Sequence, residues 1–320
     1  MYPSSGATIR GDLNTFVQEA LAADKFFIGP MVFPPFEVDI RSGQYPRLKK
    51  GNGSLMKSGS TLRAPKGSYG EIDRAWDTDT YDTVDRGLEE LIDDTQTRDL
   101  KRFFNQEVVT SNLVRRCVQL DHEVRVAAAL FNTSNFGSAT NSTVAYTAAN
   151  IATMNAPLDI LAAIEKVSDN GEEADTIVMS PNVFNRIKLS TLMQNFIRGN
   201  RPSDSTVNIT PGAVAQAFAE NGITQVLVGR ARYDSAKKGQ SFSSARVWSD
   251  TYIWVGKVSS GDFMNGGAGR TIVWNEEGGL FVTEAYRDEK RRSGVIRVRQ
   301  NTSEKVINDG CGALIATQYS

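Results

Sequence analysis

Residues 39–136 set three unlike segments end to end: a basic, glycine-rich stretch, an acidic stretch, and a long run with helical spacing. The basic stretch carries Arg41, Arg47, Lys49, Lys50, Lys57, Arg63, Lys66 and Arg74 against only Glu71 and Asp73. The next stretch reverses the sign: Asp77, Asp79, Asp82, Asp85, Glu89, Glu90, Asp93, Asp94 and Asp99 stand against only Arg86 and Arg98. A compact enzyme core has no need of that order. Adjoining segments of complementary charge suit a chain that meets copies of itself.

Local patterns give each stretch a shape. From residue 31 to about 80 the chain reads as extended, with Val38 and Ile40 alternating with charged neighbours and turn formers at Gly51-Asn52-Gly53-Ser54 and Ser58-Gly59-Ser60. This predicts a long β-hairpin with little core of its own, which needs another surface to order it. Over 97–131, the apolar positions Leu100, Phe104, Val108, Leu113, Cys117, Leu120, Val124, Ala128 and Phe131 recur at helical spacing with no Gly or Pro between them. The expectation is one helix of about 50 Å, started by Asp94 or Thr95 and ended by residues 132–137.

The remainder reads differently. Residues 1–30 are weakly patterned, with a short helix expected near 13–23. After a polar connection at 132–150, helices are expected at 158–167, 181–192 and 212–221, and strands at 176–179, 225–229 and 247–258. Such alternation predicts an α/β unit around a central sheet. Residues 271–299 read as long charged strands turning at Arg292-Ser293-Gly294 and returning to the long helix.

Composition narrows the function classes. A chain of 320 residues has room for two compact regions, and no apolar run approaches the roughly 18–20 residues that a membrane helix needs. Its first residues lack a basic and then apolar leader, so synthesis and residence in a cytoplasm are expected. Net charge is −1 and no basic tail is present, which argues against tight nucleic-acid binding but allows loose contact with DNA. Cys117 and Cys311 are too few for a disulfide framework or a zinc site and are read as reduced, partly buried thiols.

Catalytic vocabulary is sparse. The single histidine, His122, lies between Asp121 and Glu123 inside the long helix, where a solvated or interface role is expected. Cys117 is five residues away and on another part of the helix circumference, so the two cannot share a metal. No Gly-x-Ser-x-Gly is present, and Gly266-Gly267-Ala268-Gly269 is not followed by Gly-Lys-Ser or Gly-Lys-Thr, so it reads as a turn between strands. The adjacent carboxylates Glu89-Glu90, Asp93-Asp94, Glu172-Glu173 and Glu276-Glu277 do not face one cleft as a glycosidase pair would. Neither a cofactor nor a metal is expected, and the chain reads as structural.

An ordered series of segments resembles the major capsid proteins of tailed double-stranded DNA bacteriophages. Tyr45-Pro46-Arg47 and Leu62-Arg63-Ala64-Pro65-Lys66-Gly67 look like the two arms of that family's extended loop. Thr80-Tyr81-Asp82 with the run from Arg86-Gly87-Leu88 to Asp93-Asp94 resembles the approach to its spine helix, which here ends at Ala128-Ala129-Leu130-Phe131-Asn132-Thr133. Ala174-Asp175-Thr176-Ile177-Val178-Met179, Phe184-Asn185-Arg186-Ile187, the run from Val226 to Tyr233, and Val247-Trp248 resemble its axial domain.

The resemblance implies an α+β, Hong Kong 97-type capsid fold. Its parts would be an N-terminal arm (1–30), an extended loop (31–80), a peripheral domain (81–155) with the spine helix at about 97–131, an axial domain (156–270), peripheral return strands (271–302) and a C-terminal segment (303–320). It implies a homo-oligomer of hexamers and pentamers forming an icosahedral shell around a phage genome, made in the host bacterial cytoplasm and ending in the virion. Portal and decoration proteins are expected partners. Because Met1 lies close to the arm, any scaffold is expected to be a separate protein. Some relatives crosslink a loop lysine to a neighbour's asparagine; Lys57 and several asparagines are present, without a matching motif.

In such a shell the loop lies across the next subunit. The basic residues Arg47, Lys49, Lys50, Lys57, Arg63 and Lys66 would approach Asp82, Asp85, Glu89 and Glu90 of that neighbour, while Trp76, with Leu48, Leu55, Leu62 and Ile72, would supply apolar burial. The polar stretch 195–208 is the candidate for adjusting near the capsomer axis. Two other readings stay open: an encapsulin-like compartment shell, and an enzyme whose α/β unit binds a small molecule.

Overall fold

The computed structural model describes residues 8–9, 26–47, 61–63, 65–70, 77–95, 105–199, 208–237, 239–259, 266–275 and 279–319. In chain order the strands are β1 (Thr8–Ile9), β2 (Pro35–Val38), β3 (Ser42–Arg47), β4 (Asp77–Asp82), β5 (Val84–Asp93), β6 (Thr140–Asn141), β7 (Thr176–Met179), β8 (Gln225–Val228), β9 (Arg232–Asp234), β10 (Ser244–Arg246), β11 (Tyr252–Gly256), β12 (Gly269–Trp274), β13 (Val282–Asp288), β14 (Ser293–Val306) and β15 (Gly312–Ala316). The α-helices are α1 (Gly29–Val32), α2 (Gln106–Leu130), α3 (Thr133–Phe136), α4 (Ala156–Ser168), α5 (Pro181–Leu189), α6 (Thr191–Arg198) and α7 (Pro211–Ala217).

Two sheets organise the chain. The first is built on β14, whose 14 residues are paired along one edge by β13 and then β12, and along the other by β5. Thr302 marks the handover, standing opposite Val273 of β12 and Val84 of β5. β2 adds in parallel to β12, so part of the stretch read as a hairpin belongs to this sheet. α2 packs across β14 and β5. The second sheet has the order β6-β15-β11-β7-β8 and a large apolar core that includes Ile160, Ile177, Val183, Ile187, Val214 and Ile253.

The α/β unit follows its sequence pattern. β7 falls on the predicted strand, and α4 surrounds its predicted segment. The helix expected at 181–192 is instead two, because Ser190 leaves helical geometry and its Oγ caps α6 by accepting from Met193 N at 3.4 Å. The C-terminal segment is more than a tail: β15 sits inside the second sheet between β6 and β11. Its burial explains why 312–316 is apolar with no polar face.

The long helix departs from expectation at its start and around its circumference. Its N-cap is Asn105, whose Oδ1 accepts from Glu107 N, and its 25 residues span about 37 Å. The predicted caps Asp94 and Thr95 lie before it, and residues 96–104 are outside the described set. The predicted stripe also faces wrongly: Leu113, Cys117 and Ala128 are exposed. The buried stripe is Thr110, Ser111, Val114, Arg115, Val118, Gln119, His122, Glu123, Val126, Ala127 and Leu130, in helical register but about half polar. Hydrophobicity alone could not find a face that sets polar side chains among apolar ones.

His122 is consequently fully buried, which corrects the expectation of a solvated or interface residue. Its Nε2 meets Thr271 Oγ1 at 3.1 Å and lies 3.7 Å from Glu304. Burial pushes it down to about 4 despite the pull of Glu304. Beside it, the buried carboxylate of Glu123 accepts from Ile28 N (3.0 Å), Gly29 N (2.6 Å) and Trp248 Nε1 (2.7 Å). One side chain thus joins the segment around α1, the long helix and the loop leading to β11. Cys311 is buried, and burial raises its thiol to about 12; Cys117 is exposed.

Candidate inter-subunit surface

The two-stranded ribbon β3–β4 stands beside the first sheet and bounds residues 48–76 in sequence. Its register sets Ser42 opposite Asp82 and Arg47 opposite Asp77. Tyr45 and Tyr81 bury against Ile272 and Ile307, with Tyr81 OH donating to Ile40 O at 3.1 Å and Tyr45 OH to Val306 O at 3.3 Å. Two aromatic anchors therefore tie the ribbon to the first sheet. Of the expected contact residues on this excursion, Lys49, Lys50, Lys57 and Trp76 lie outside the described residues, and Arg47 is described as backbone only. Arg63 and Lys66 are exposed, with the Arg63 guanidinium 4.9 Å from the Tyr69 ring centroid.

The acidic stretch forms β4 and β5, and much of its charge is balanced within the chain. Register places Glu89, Arg297 and Glu284 in one row across β5, β14 and β13. Arg297 pairs with Glu89 at 2.9 Å and Arg299 with Glu284 at 2.9 Å, while the Arg297 guanidinium sits 5.2 Å from the Tyr286 ring centroid. The Arg297 hydrogen bond holds Glu89 below its ordinary value; burial lifts Glu284. Arg287 grips both oxygens of Asp94 at 2.7 and 2.8 Å.

Glu89 and Asp94 already have cations, Glu90 is half-buried, and Asp82 and Asp85 remain exposed. The missed residues are Arg287, Arg297 and Arg299, about 200 positions away in sequence; their alternation along charged strands was visible, but their pairing was not. Among the described residues no strand covers the outer edge of β5, which also exposes Val84, Leu88 and Leu91. Apolar side chains set among charges are the usual make-up of a contact surface. Among the described residues no cluster of ligands suits a metal ion, and no helix is long and apolar enough to cross a membrane.

The sequence matches no protein-family model and no curated protein. Solved structures do match over nearly the whole chain. A phage-related protein of Bordetella bronchiseptica superposes with a TM-score of 0.70 at 19% identity, covering 98% of this chain and 99% of that one. The capsid of the cyanophage P-SCSP1u gives 0.56 at 12% identity, covering 90% and 86%. A virus-like particle from Pyrococcus furiosus gives 0.54 at 9% identity, covering 96% of each chain. The chain therefore has the mixed helix-and-sheet Hong Kong 97-type capsid fold.

Proposed function

We propose that this chain is the structural subunit of an icosahedral shell, assembling as hexamers and pentamers around a double-stranded DNA phage genome, with no catalytic step of its own. The likeness of the whole chain to capsid structures carries this reading. On this reading the protein is made in the host bacterial cytoplasm and ends in the virion, with portal and decoration proteins and any scaffold as its partners.

The described geometry supplies the parts such a subunit needs. The anchored β3–β4 ribbon brackets the basic stretch in sequence, and a hairpin with little core of its own is ordered by a neighbouring subunit. Asp82, Asp85 and the apolar side chains on β5 offer that neighbour a mixed surface. Exposed ion pairs contribute only about 0–1 kcal/mol each, so charge sets register while apolar burial supplies affinity. Many such contacts close a shell through effective concentration. A chain of net charge −1 also confines DNA without holding its phosphates tightly.

The test is to express the chain alone, and then with its scaffold, and image the high-molecular-weight fraction by electron microscopy. Closed, uniform shells or regular capsomers are expected; a small species under both conditions would refute the proposal. A second reading, a compartment shell that encloses a protein cargo, draws on the similarity to the Pyrococcus furiosus particle. Nuclease-protected DNA in native particles favours the genome container, and a stoichiometric protein cargo favours the compartment.

A further inference from the structure

Between β8 and β11 lies a cationic ribbon that, among the described residues, neither large sheet includes. β9 and β10 pair antiparallel, with Arg232 opposite Arg246, Tyr233 opposite Ala245 and Asp234 opposite Ser244. Residues 221–249 hold Arg230, Arg232, Lys237, Lys238 and Arg246 against a single carboxylate, Asp234, in a chain whose net charge is −1. Two aromatic side chains accompany the charge: Tyr233 is 37% exposed and Phe242, close to the tip, 77%.

The ribbon is closed by its own hydrogen bonds. Asp234 Oδ1 accepts from Ala236 N and Ser243 N, both at 3.0 Å, and these amides hold its carboxyl below the ordinary value. Ser235 N donates to Ser243 O at 2.8 Å, and Gln240 N to Lys237 O at 3.0 Å across a turn in which Gly239 has φ +87°. At the base, Arg246 donates to Asn182 Oδ1 at 2.8 Å and lies 3.7 Å from Asp250. The one anion is thus committed to the turn, and one cation to the start of α5. Arg230, Arg232 and Lys237 are exposed, and among the described residues none has a carboxylate within 4 Å; Arg232 donates to the neutral Ser244 Oγ at 3.3 Å. Like charges directly opposite across two strands destabilise a ribbon, so the placement of Arg232 against Arg246 gains nothing inside the chain. An anion from outside offsets it.

We infer that the β9–β10 ribbon is a nucleic-acid contact, in which Arg230, Arg232 and Lys237 meet phosphates and Phe242 lies against the bases. A two-stranded ribbon fits the major groove of a duplex. An exposed ring set beside cations is also how proteins hold a nucleic acid without reading its sequence. An acidic peptide would meet the cations but offers Phe242 no base to stack on. Three phosphate contacts make a weak, salt-sensitive site, in keeping with a near-neutral chain. Repetition over many subunits then supplies retention through effective concentration. The inference rests on the shell reading for the source of the nucleic acid, the enclosed genome, and gives loose DNA contact a definite place in the fold.

The test measures binding of the full chain to a short labelled DNA duplex by fluorescence anisotropy between about 50 and 200 mM salt. Arg230→Ser with Arg232→Ser and Lys237→Ser should lower affinity about tenfold or more at the low-salt end. It should also flatten the slope of log affinity against log salt by about 2.7, three contacts at about 0.9 each. Phe242→Ser should lower affinity about fivefold or more with the slope unchanged. Lys290→Ser with Arg291→Ser, which removes exposed cations from the turn between β13 and β14, should change neither quantity. Absence of wild-type binding at the low-salt end, flattening by less than one contact's share, or an equal loss in the Lys290 and Arg291 variant overturns the inference. So does competition by polyglutamate that matches competition by DNA of equal charge, which would make the partner an acidic protein. Circular dichroism checks that each variant is folded; should the triple variant not fold, Lys237→Glu at the tip carries the test, with a slope shallower by about one. Normal shells without DNA binding overturn this inference alone, whereas a chain that binds DNA through the ribbon but assembles under no condition overturns the shell reading alone.

Discussion

The two halves of the molecule bury their helices by different chemistry. α4 packs on the second sheet through Ile160, Ala163, Ile164 and Val167, an apolar stripe in plain helical register. α2 packs on the first sheet with Arg115, Gln119, His122 and Glu123 buried among its valines. Burying polar groups costs free energy unless each is hydrogen-bonded, so the second arrangement demands matched partners at several positions where the first demands them only at Asp159, held by Thr143 N and Tyr146 OH. The contrast shows where the fold is tolerant and where it is specific. The α/β unit should accept conservative repacking, and the long-helix contact should not.

Glu123→Ala is the sharpest way to break that contrast. It strips a buried acceptor from two backbone amides and the Trp248 indole and should cost about 3–5 kcal/mol, read as a lowered urea midpoint. A loss below about 1 kcal/mol would mean that water or a neighbour replaces the carboxylate without difficulty.

The next largest effect is on pH dependence. The folded state holds His122 down at about 4 against an ordinary value of 6.5, so the unfolded chain binds the extra proton between those values. Stability should be fully present above pH 6.5 and decline as pH falls towards 4, by about 3 kcal/mol for this group. Glu304 is also held below its ordinary value, chiefly by the Arg125 hydrogen bond against the cost of burial, and adds loss further into acid. His122→Gln should flatten the upper part of the profile; an unchanged slope between pH 6.5 and 4 would count against a neutral, buried imidazole.

In the α/β unit, Ile160→Val removes one buried methylene and should cost only about 1 kcal/mol in the same urea series. A cost matching that of Glu123→Ala would erase the proposed difference between the halves. On the open face of the first sheet, a double-mutant cycle on Glu89 and Arg297 should give about 0.2–1 kcal/mol of coupling, because both side chains are well exposed. Smallest in stability, within about 0.5 kcal/mol, is Lys49→Glu with Lys50→Glu, which should instead slow or prevent assembly of a folded subunit. Unchanged shells with unchanged salt sensitivity would refute a charge-guided seat for the loop.

Legibility followed the same divide. β7, β8, α4 and the returning strands could be placed from periodicity because their buried faces are apolar and their bounding residues are turn formers. The buried face of α2 could not, since a stripe of Ser, Arg, Gln, His and Glu reads as a solvated surface until its partners are known. The role of β15 was hidden for a related reason: a five-residue apolar strand near a chain end carries no sign of which strands it will join. The predicted contact set was legible only as charge. Pairing across distant strands then showed that Glu89 and Asp94 are already matched within the chain.

The sequence by itself determined the order of parts: a basic stretch, an acidic stretch, a long helix and an alternating α/β unit. Each follows from local periodicity, turn residues and charge, which act over a few positions. Tertiary structure alone decided the face on which α2 lies, the joining of three segments by Glu123, and which acidic residues are paired within the chain. Those outcomes depend on groups 95 to 208 positions apart meeting in space, as Glu123 meets Ile28 and Arg297 meets Glu89. A contact of that range is stabilised only once the whole chain has folded, and no local pattern records it.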